Sequence, residues 1–324
     1  MKKINRLLRS FAGRVIRRRT LDKIVHEDFR YLIEGQGTDF KSGHILKRIM
    51  LEYQVIEKGL TMPDMRLGFG EKVLLALISD INSYVNAFGE NDEQVNVAIQ
   101  VVLEYKRVHN QAQYQLKEEV LEAIETLKKF ENRQEGTTQR LMTKEEFYSH
   151  NGCSFAEFAS SRHSVRFFDG AIEVEDIKNA IELAQTAPSA CNRQSTRVKV
   201  VTDKSLIEKV FAIQHGNRGF GHLADKLIVL TVDMQYWDIA TYWGGYVDGG
   251  IYAMNLLYSL HYNKIAACPL NANLNANESH LVKTLLNIPD TESIFLFIAI
   301  GGVPDTFRLT NSHRTEYKSI LTII

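Results

Sequence analysis

Residues 161–170 read SRHSVRFFDG, and residues 187–194 read APSACNRQ. Between them, 174–186 has the spacing of an amphipathic helix, with Ile177, Ile181, Leu183 and Ala184 on its apolar side. Capping-box patterns at 143–146 and 154–157 predict two short helices upstream. Arg162, His163, Ser164 and Arg166 therefore follow directly on a helix. Arginine presents a fork of donors that matches phosphate oxygens, and a serine hydroxyl adds another donor. In the second stretch Pro188 stops the helix, and Ser189, Asn192 and Gln194 follow on a loop. Their hydroxyl and amide groups both donate and accept, which suits the polar edge of a heterocycle. Taken singly, a solvated basic turn and an ordinary capping loop would look the same.

Outward from this pair, the pattern alternates. Residues 197–202 (RVKVVT), 226–232 (KLIVLTV), 265–269 and 294–300 are rich in β-branched and apolar residues and predict strands. Residues 246–262 and 279–286 predict helices, the former with Gly249 and Gly250 near its start, where backbones can approach closely. Strands alternating with helices imply a domain with a central sheet. Upstream, 21–132 reads as helix after helix: 44–58, 72–88, 93–108, and a long one over 113–130 with Leu116, Val120, Ile124 and Leu127 as its buried stripe. The polar stretch 133–140 (RQEGTTQR) is the expected linker. The domain division is a basic arm at 1–20, a helical region at 21–140 and a sheet-containing domain at 141–324.

Together, the two quoted stretches resemble the nitroreductase family of flavin-binding oxidoreductases. The shared order is an Arg-(His/Arg)-Ser-x-(Lys/Arg) motif, a helix, then Pro-Ser-x-x-Asn-x-Gln. Residues 246–260 (YVDGGIYAMNLLYSL) are similar to that family's central helix. Residues 267–271 (ACPLN) stand where it has a proline-containing loop, and 301–314 (GGVPDTFRLTNSHR) resemble its terminal strand and the basic residues after it. The resemblance spans about residues 154–324. It implies an α+β fold, a central and mostly antiparallel sheet flanked by helices, here preceded by the all-helical region. It also implies FMN as cofactor, NAD(P)H as co-substrate, and a homodimer with flavin at the interface. Arg162 and Arg314 would grip the phosphate with Ser164 beside them, and His163 and Arg166 would lie along the phosphate, ribityl or pyrimidine side. Pro188, Ser189, Asn192 and Gln194 would contact flavin, Ser189 and Asn192 completing the partner subunit's site. Pro269 and Leu270 would lie against the isoalloxazine, with Asn271 near N5, and Asn217 and Arg218 would add contacts.

The implied activity is ping-pong: NAD(P)H reduces the flavin and leaves, and a small acceptor such as a quinone or nitroaromatic is then reduced at the same face. The flavin carries the hydride chemistry, so no catalytic side chain is expected. Two departures bear on the substrate side: Gln194 runs into Ser195 and Thr196, and the Pro-x-Glu-Gly type of loop reads Pro-Leu-Asn. Residues 57–70 (EKGLTMPDMRLGFG) look like an extension of nitroreductase-like proteins associated with polysaccharide biosynthesis, which would make the acceptor a pathway intermediate. The rival readings are a flavin-binding protein of the same fold with non-reductase chemistry, and a non-enzymatic scaffold of a glycan-assembly complex.

The 324 residues carry 39 basic and 39 acidic side chains. The zero balance gives no case for nucleic acid. It conceals an asymmetry, because residues 1–20 hold eight of the basic residues and none of the acidic ones, leaving −8 on the remainder. Ile4, Leu7, Leu8, Phe11 and Val15 recur there at helical spacing, so the arm suits peripheral contact with an anionic membrane, or an acidic partner. No stretch is apolar enough to span a bilayer, and no signal-peptide core is evident. Three scattered cysteines suit a reducing, cytoplasmic setting, and the scattered histidines predict no metal site.

Overall fold

A computed structural model describes residues 38–130 and 138–324. The basic arm at 1–20 lies outside the described residues. The chain divides into two compact units: Thr38–Gly170 with Val303–Ile324, and a second whose described part is Ala171–Gly302.

The first unit opens with helices α1 (Thr38–Leu60), α2 (Glu71–Phe88), α3 (Glu93–Gln111) and α4 (Glu118–Glu125). Ile49, Tyr53, Ile56 and Leu60 recur at three- and four-residue spacing and form the buried face of α1. They pack in one cluster with Leu74, Leu77 and Ile81 of α2 and with Val95, Ile99, Val102 and Tyr105 of α3. Asp92 caps α3 by accepting from the Gln94 and Val95 amides. The turn-rich stretch between α1 and α2 is tied down by His109, which is wholly buried and accepts the Gly68 N–H at 2.9 Å. Gly59 must lack a side chain there, since a Cβ would lie 2.0 Å from the Phe69 ring.

The long helix expected at 113–130 is not formed. Gln113 takes a left-handed φ of 54°, which breaks the helical path after α3, and α4 covers eight residues. Leu116, Val120, Ile124 and Leu127 are all buried nevertheless. The apolar spacing was a true sign of burial but not of a continuous helix. Beyond 137 the expected linker becomes strand β1 (Gln139–Thr143), paired antiparallel with β6 (Thr306–Thr310), so that Arg140 stands opposite Leu309. Both capping boxes form, at the starts of α5 (Lys144–Phe147) and α6 (Phe155–Ser161).

The second unit is built on four antiparallel strands in the order β2-β3-β5-β4: β2 (Thr196–Val201), β3 (Lys226–Asp233), β4 (Ala266–Asn271) and β5 (Glu292–Gly301). Residues 227–232 of the central strand β3 are all buried. Ile228, Leu230, Ile298 and Ile300 share a cluster with Ile177 and Ala180 of α7 (Val174–Ala184) and with Tyr252, Leu256 and Leu260 of α9 (Trp243–Tyr262). The alternate residues Leu227, Val229, Phe297 and Ala299 point to the other face and are equally buried. Helix α8 (Lys204–Ile213) packs on β2 and β3, and α10 (Ala276–Leu285) packs on α8. The fold is α+β, with helices preceding an antiparallel sheet that is itself flanked by helices. Among the described residues no helix is long and apolar enough to cross a membrane.

Candidate flavin-binding residues

In the first unit, the Ser154 capping box starts α6, and Arg162 is the residue at which that helix ends. The chain leaves in extended conformation, so the helix end launches the 162–166 stretch. His163 turns its Nδ1 to the Ser161 carbonyl at 2.9 Å. Arg314 follows β6 on the segment 311–316 and bonds through Nη1 to the Ser312 carbonyl. These side chains lie within electrostatic reach of His163. Burial pushes the His163 imidazole below its ordinary value, the Ser161 carbonyl opposes that shift, and Arg140, Arg162 and Arg314 add to it. Arg166 and Arg314 in turn act on one buried carboxylate, Glu57 of α1. Burial raises the carboxyl pKa of Glu57, while the Ser312 N–H, Arg166, Lys58 and Arg314 pull it down. A concentration of guanidinium groups around a neutral imidazole is a donor set for a dianionic phosphate.

His163 yields a pH prediction. The ordinary imidazole value is 6.5, and the folded value lies below it. Below pH 6.5 the unfolded chain therefore takes up a proton that the folded chain refuses, so stability falls until the folded value is reached. Urea titrations at about pH 7.5 and about pH 5.5 should show a smaller acid loss in His163→Gln than in the wild type. An imidazole resonance of His163 titrating at or above 6.5 would contradict this.

In the second unit, the 187–194 loop is held from beneath by Asp248 of α9. This carboxylate is 5% exposed and accepts the Ala190 N–H at 3.0 and 3.2 Å. The Ser189 hydroxyl accepts the Gln194 N–H at 3.0 Å, and the Gln194 side-chain amide donates to Asn192 Oδ1 at 2.9 Å. Arg197 donates to the Gln194 carbonyl at 2.7 Å. These bonds hold three non-glycine residues, Cys191, Asn192 and Gln194, at left-handed φ values of 51°, 53° and 49°. Pro188, Ser189 and Gln194 line one small cavity with Thr196, Asp248 and Tyr252. The buried Tyr252 hydroxyl has no hydrogen-bond partner among the described residues, and burial pushes it up to about 12.

The stretch 267–271, compared above with a loop, is strand. Pro269, Leu270 and Asn271 end β4 opposite Ile298, Phe297 and Leu296. Proline is tolerated because β4 is an edge strand of this sheet. Leu270 is buried, Pro269 half-buried and Asn271 exposed. Asn217 is occupied locally, its amide donating to the Phe211 carbonyl at 2.8 Å.

Three residues that matter here carry only weak signals in the sequence. Glu57 is an acid next to the apolar stripe of α1, which is a clue once the helix is drawn. Arg140 sits in what reads as a linker, yet it donates to Asn311 Oδ1 at 2.6 Å and faces His163 electrostatically. Gln214, 3% exposed, donates to the Asn271 carbonyl at 2.9 Å and fixes the end of β4. Nothing in its local sequence marks it. Among the described residues no three His, Cys, Asp or Glu side chains converge as metal ligands would.

Residues 159–218 and 212–302 match the family model described as the Nitroreductase family. This part of the chain is nitroreductase-like. Solved structures similar to it include a nitroreductase family protein from Streptococcus pneumoniae, 21% identical, with a TM-score of 0.44, covering 53% of this chain and 100% of that one. An FMN-dependent nitroreductase from Clostridium difficile is 21% identical, with a TM-score of 0.44, covering 51% and 96%. A nitroreductase family protein from Clostridium novyi is 20% identical, with a TM-score of 0.43, covering 47% and 86%. No curated protein matches the chain. The nitroreductase-like match takes in Arg162 through Arg166, the 187–194 loop and Pro269 through Asn271, but neither Arg314 nor the helical region.

Proposed function

We propose that this chain is an FMN-dependent oxidoreductase that passes electrons from NAD(P)H to a small organic acceptor. The observation that carries the reading is the set of three arginines, Arg162, Arg166 and Arg314, with neutral His163 in one unit, where Arg162 through Arg166 fall inside the nitroreductase-like match. In this reading Arg162, Arg166 and Arg314 take the FMN phosphate, Ser164 adds a hydroxyl donor, and neutral His163 supplies a further hydrogen bond. Bound FMN supplies the two-electron chemistry. The protein's part is to hold it and leave one face open, so no side chain is assigned a catalytic role.

The reading also includes a homodimer. Trp243, Val247 and Ile251 recur every four residues along α9 and stay exposed at 55%, 49% and 43%. An apolar stripe of that kind on a soluble surface suits a second copy of the same helix. The Asp248-anchored loop would then offer Ser189 and Asn192 to the flavin of the other subunit.

The test is an absorbance spectrum of the purified chain, identification of the released flavin, and anaerobic mixing with NADH and NADPH. FMN absorbance that bleaches with either nucleotide is expected, on a particle with the mass of two chains. Protein that stays colourless after FMN is added would sink the reading. Bound flavin that neither nucleotide bleaches would leave the binding role and remove the reductase.

A further inference from the structure

The helical region is connected to Arg314 through one residue. Ser312 lies on the turn between β6 and Arg314, with a left-handed φ of 45° that a residue with a Cβ adopts only when held. Its N–H is given to Glu57 Oε1 at 3.1 Å, and its carbonyl accepts the Arg314 guanidinium. Glu57 is 2% exposed, so this bond is made out of water. Neighbouring contacts from the same helices run to the same segment. Tyr53 donates to Gln94 Oε1 at 2.7 Å, and Gln94 donates to the Thr315 hydroxyl at 3.2 Å. Glu93 at the start of α3 meets His313 at 3.1 Å and accepts the Glu316 N–H at 3.1 Å. Residues 312, 313, 315 and 316 are thus each gripped by α1 or α3, and Arg314 between them is exposed, its guanidinium resting on the Ser312 carbonyl.

We infer that Glu57 is a positioning residue for anion binding: its carboxylate holds Ser312 in the left-handed turn, and the turn presents Arg314 to the phosphate. The helical region is then the support of the binding site rather than a separate module. Without the Glu57 acceptor, Ser312 relaxes toward ordinary backbone angles and carries Arg314 out of place. The inference rests on the FMN reading for its ligand but not for its geometry.

The experiment uses the full chain and FMN as the probe, with binding read by quenching of flavin fluorescence. Glu57→Ala should weaken FMN about tenfold, the loss of one hydrogen bond to a charged group. Glu57→Gln, which keeps an oxygen for the Ser312 N–H, should stay within about threefold of the wild type. In an Arg314→Ala background, Glu57→Ala should add less than about twofold, because the two act in series. Hydrogen exchange at residues 311–316 should quicken in Glu57→Ala while the melting temperature changes little. If Glu57→Ala does not fold, Glu57→Asp, one methylene too short to reach Ser312, replaces it with the same expectation. Unchanged affinity, losses that multiply in the double variant, or Glu57→Gln as weak as Glu57→Ala would overturn the inference. If the wild type binds no FMN, the functional reading fails by itself. The exchange data then decide the inference alone, and an unaltered Ser312 amide would overturn it.

Discussion

A chain carrying both Arg162→Ala and Arg314→Ala should purify without flavin, while its far-UV circular dichroism and elution volume match the wild type. In the proposed site each arginine would give charge-assisted hydrogen bonds to the phosphate, of about 1.5–3 kcal/mol apiece, so losing both should weaken FMN by at least about 100-fold. The fold should tolerate the change. Arg314 is exposed, Arg162 stands at a helix end, and neither belongs to either apolar core. Arg166 remains, so weak residual binding at high FMN concentration is consistent with the assignment. Undiminished flavin content in the double variant would show that the phosphate lies elsewhere.

Phe297→Ala should cost about 3–5 kcal/mol of stability, the range for emptying a fully buried aromatic position. Phe297 is 0% exposed and stands between Val229 on β3 and Leu270 on β4. Removing the ring leaves a cavity bounded by paired backbone, and the strands cannot close it without giving up their ladder. The urea midpoint, followed by circular dichroism, reads the loss. A change below about 1 kcal/mol would mean that the sheet repacks around the gap.

Much of the architecture was legible in the sequence because it follows from local chemistry. Thr143 and Ser154 stand directly before their helices, each with a glutamate three residues on, and both boxes close. The β-branched runs at 197–202 and 226–232 become β2 and β3 within a residue or two, since sheet burial demands those side chains. The stretch at 113–130 failed for a related reason. Apolar spacing reports which residues are buried, and Leu116 is buried from an irregular segment as effectively as from a helix. Strand β1 was missed because its partner begins at Thr306, and no local signal in RQEGTTQR carries that pairing.

The candidate site divides along the same line. Arginine-rich and amide-rich stretches are visible in a sequence because the residue types themselves state the chemistry: guanidinium for phosphate, amide for a ring edge. What the sequence determined by itself is therefore the residue types of the two candidate stretches, Arg162 to Arg166 and Ser189 to Gln194, along with the helices and strands that flank each of them. Only the tertiary structure decided that Glu57 and Gln94, more than 200 residues before the tail, hold the segment that carries Arg314. It alone decided, too, that the Asp248 carboxylate accepts the Ala190 amide, 58 residues away in sequence. Position along the chain specifies a side chain's chemistry, but a hydrogen bond depends on separation in space, and folding is what converts the one into the other.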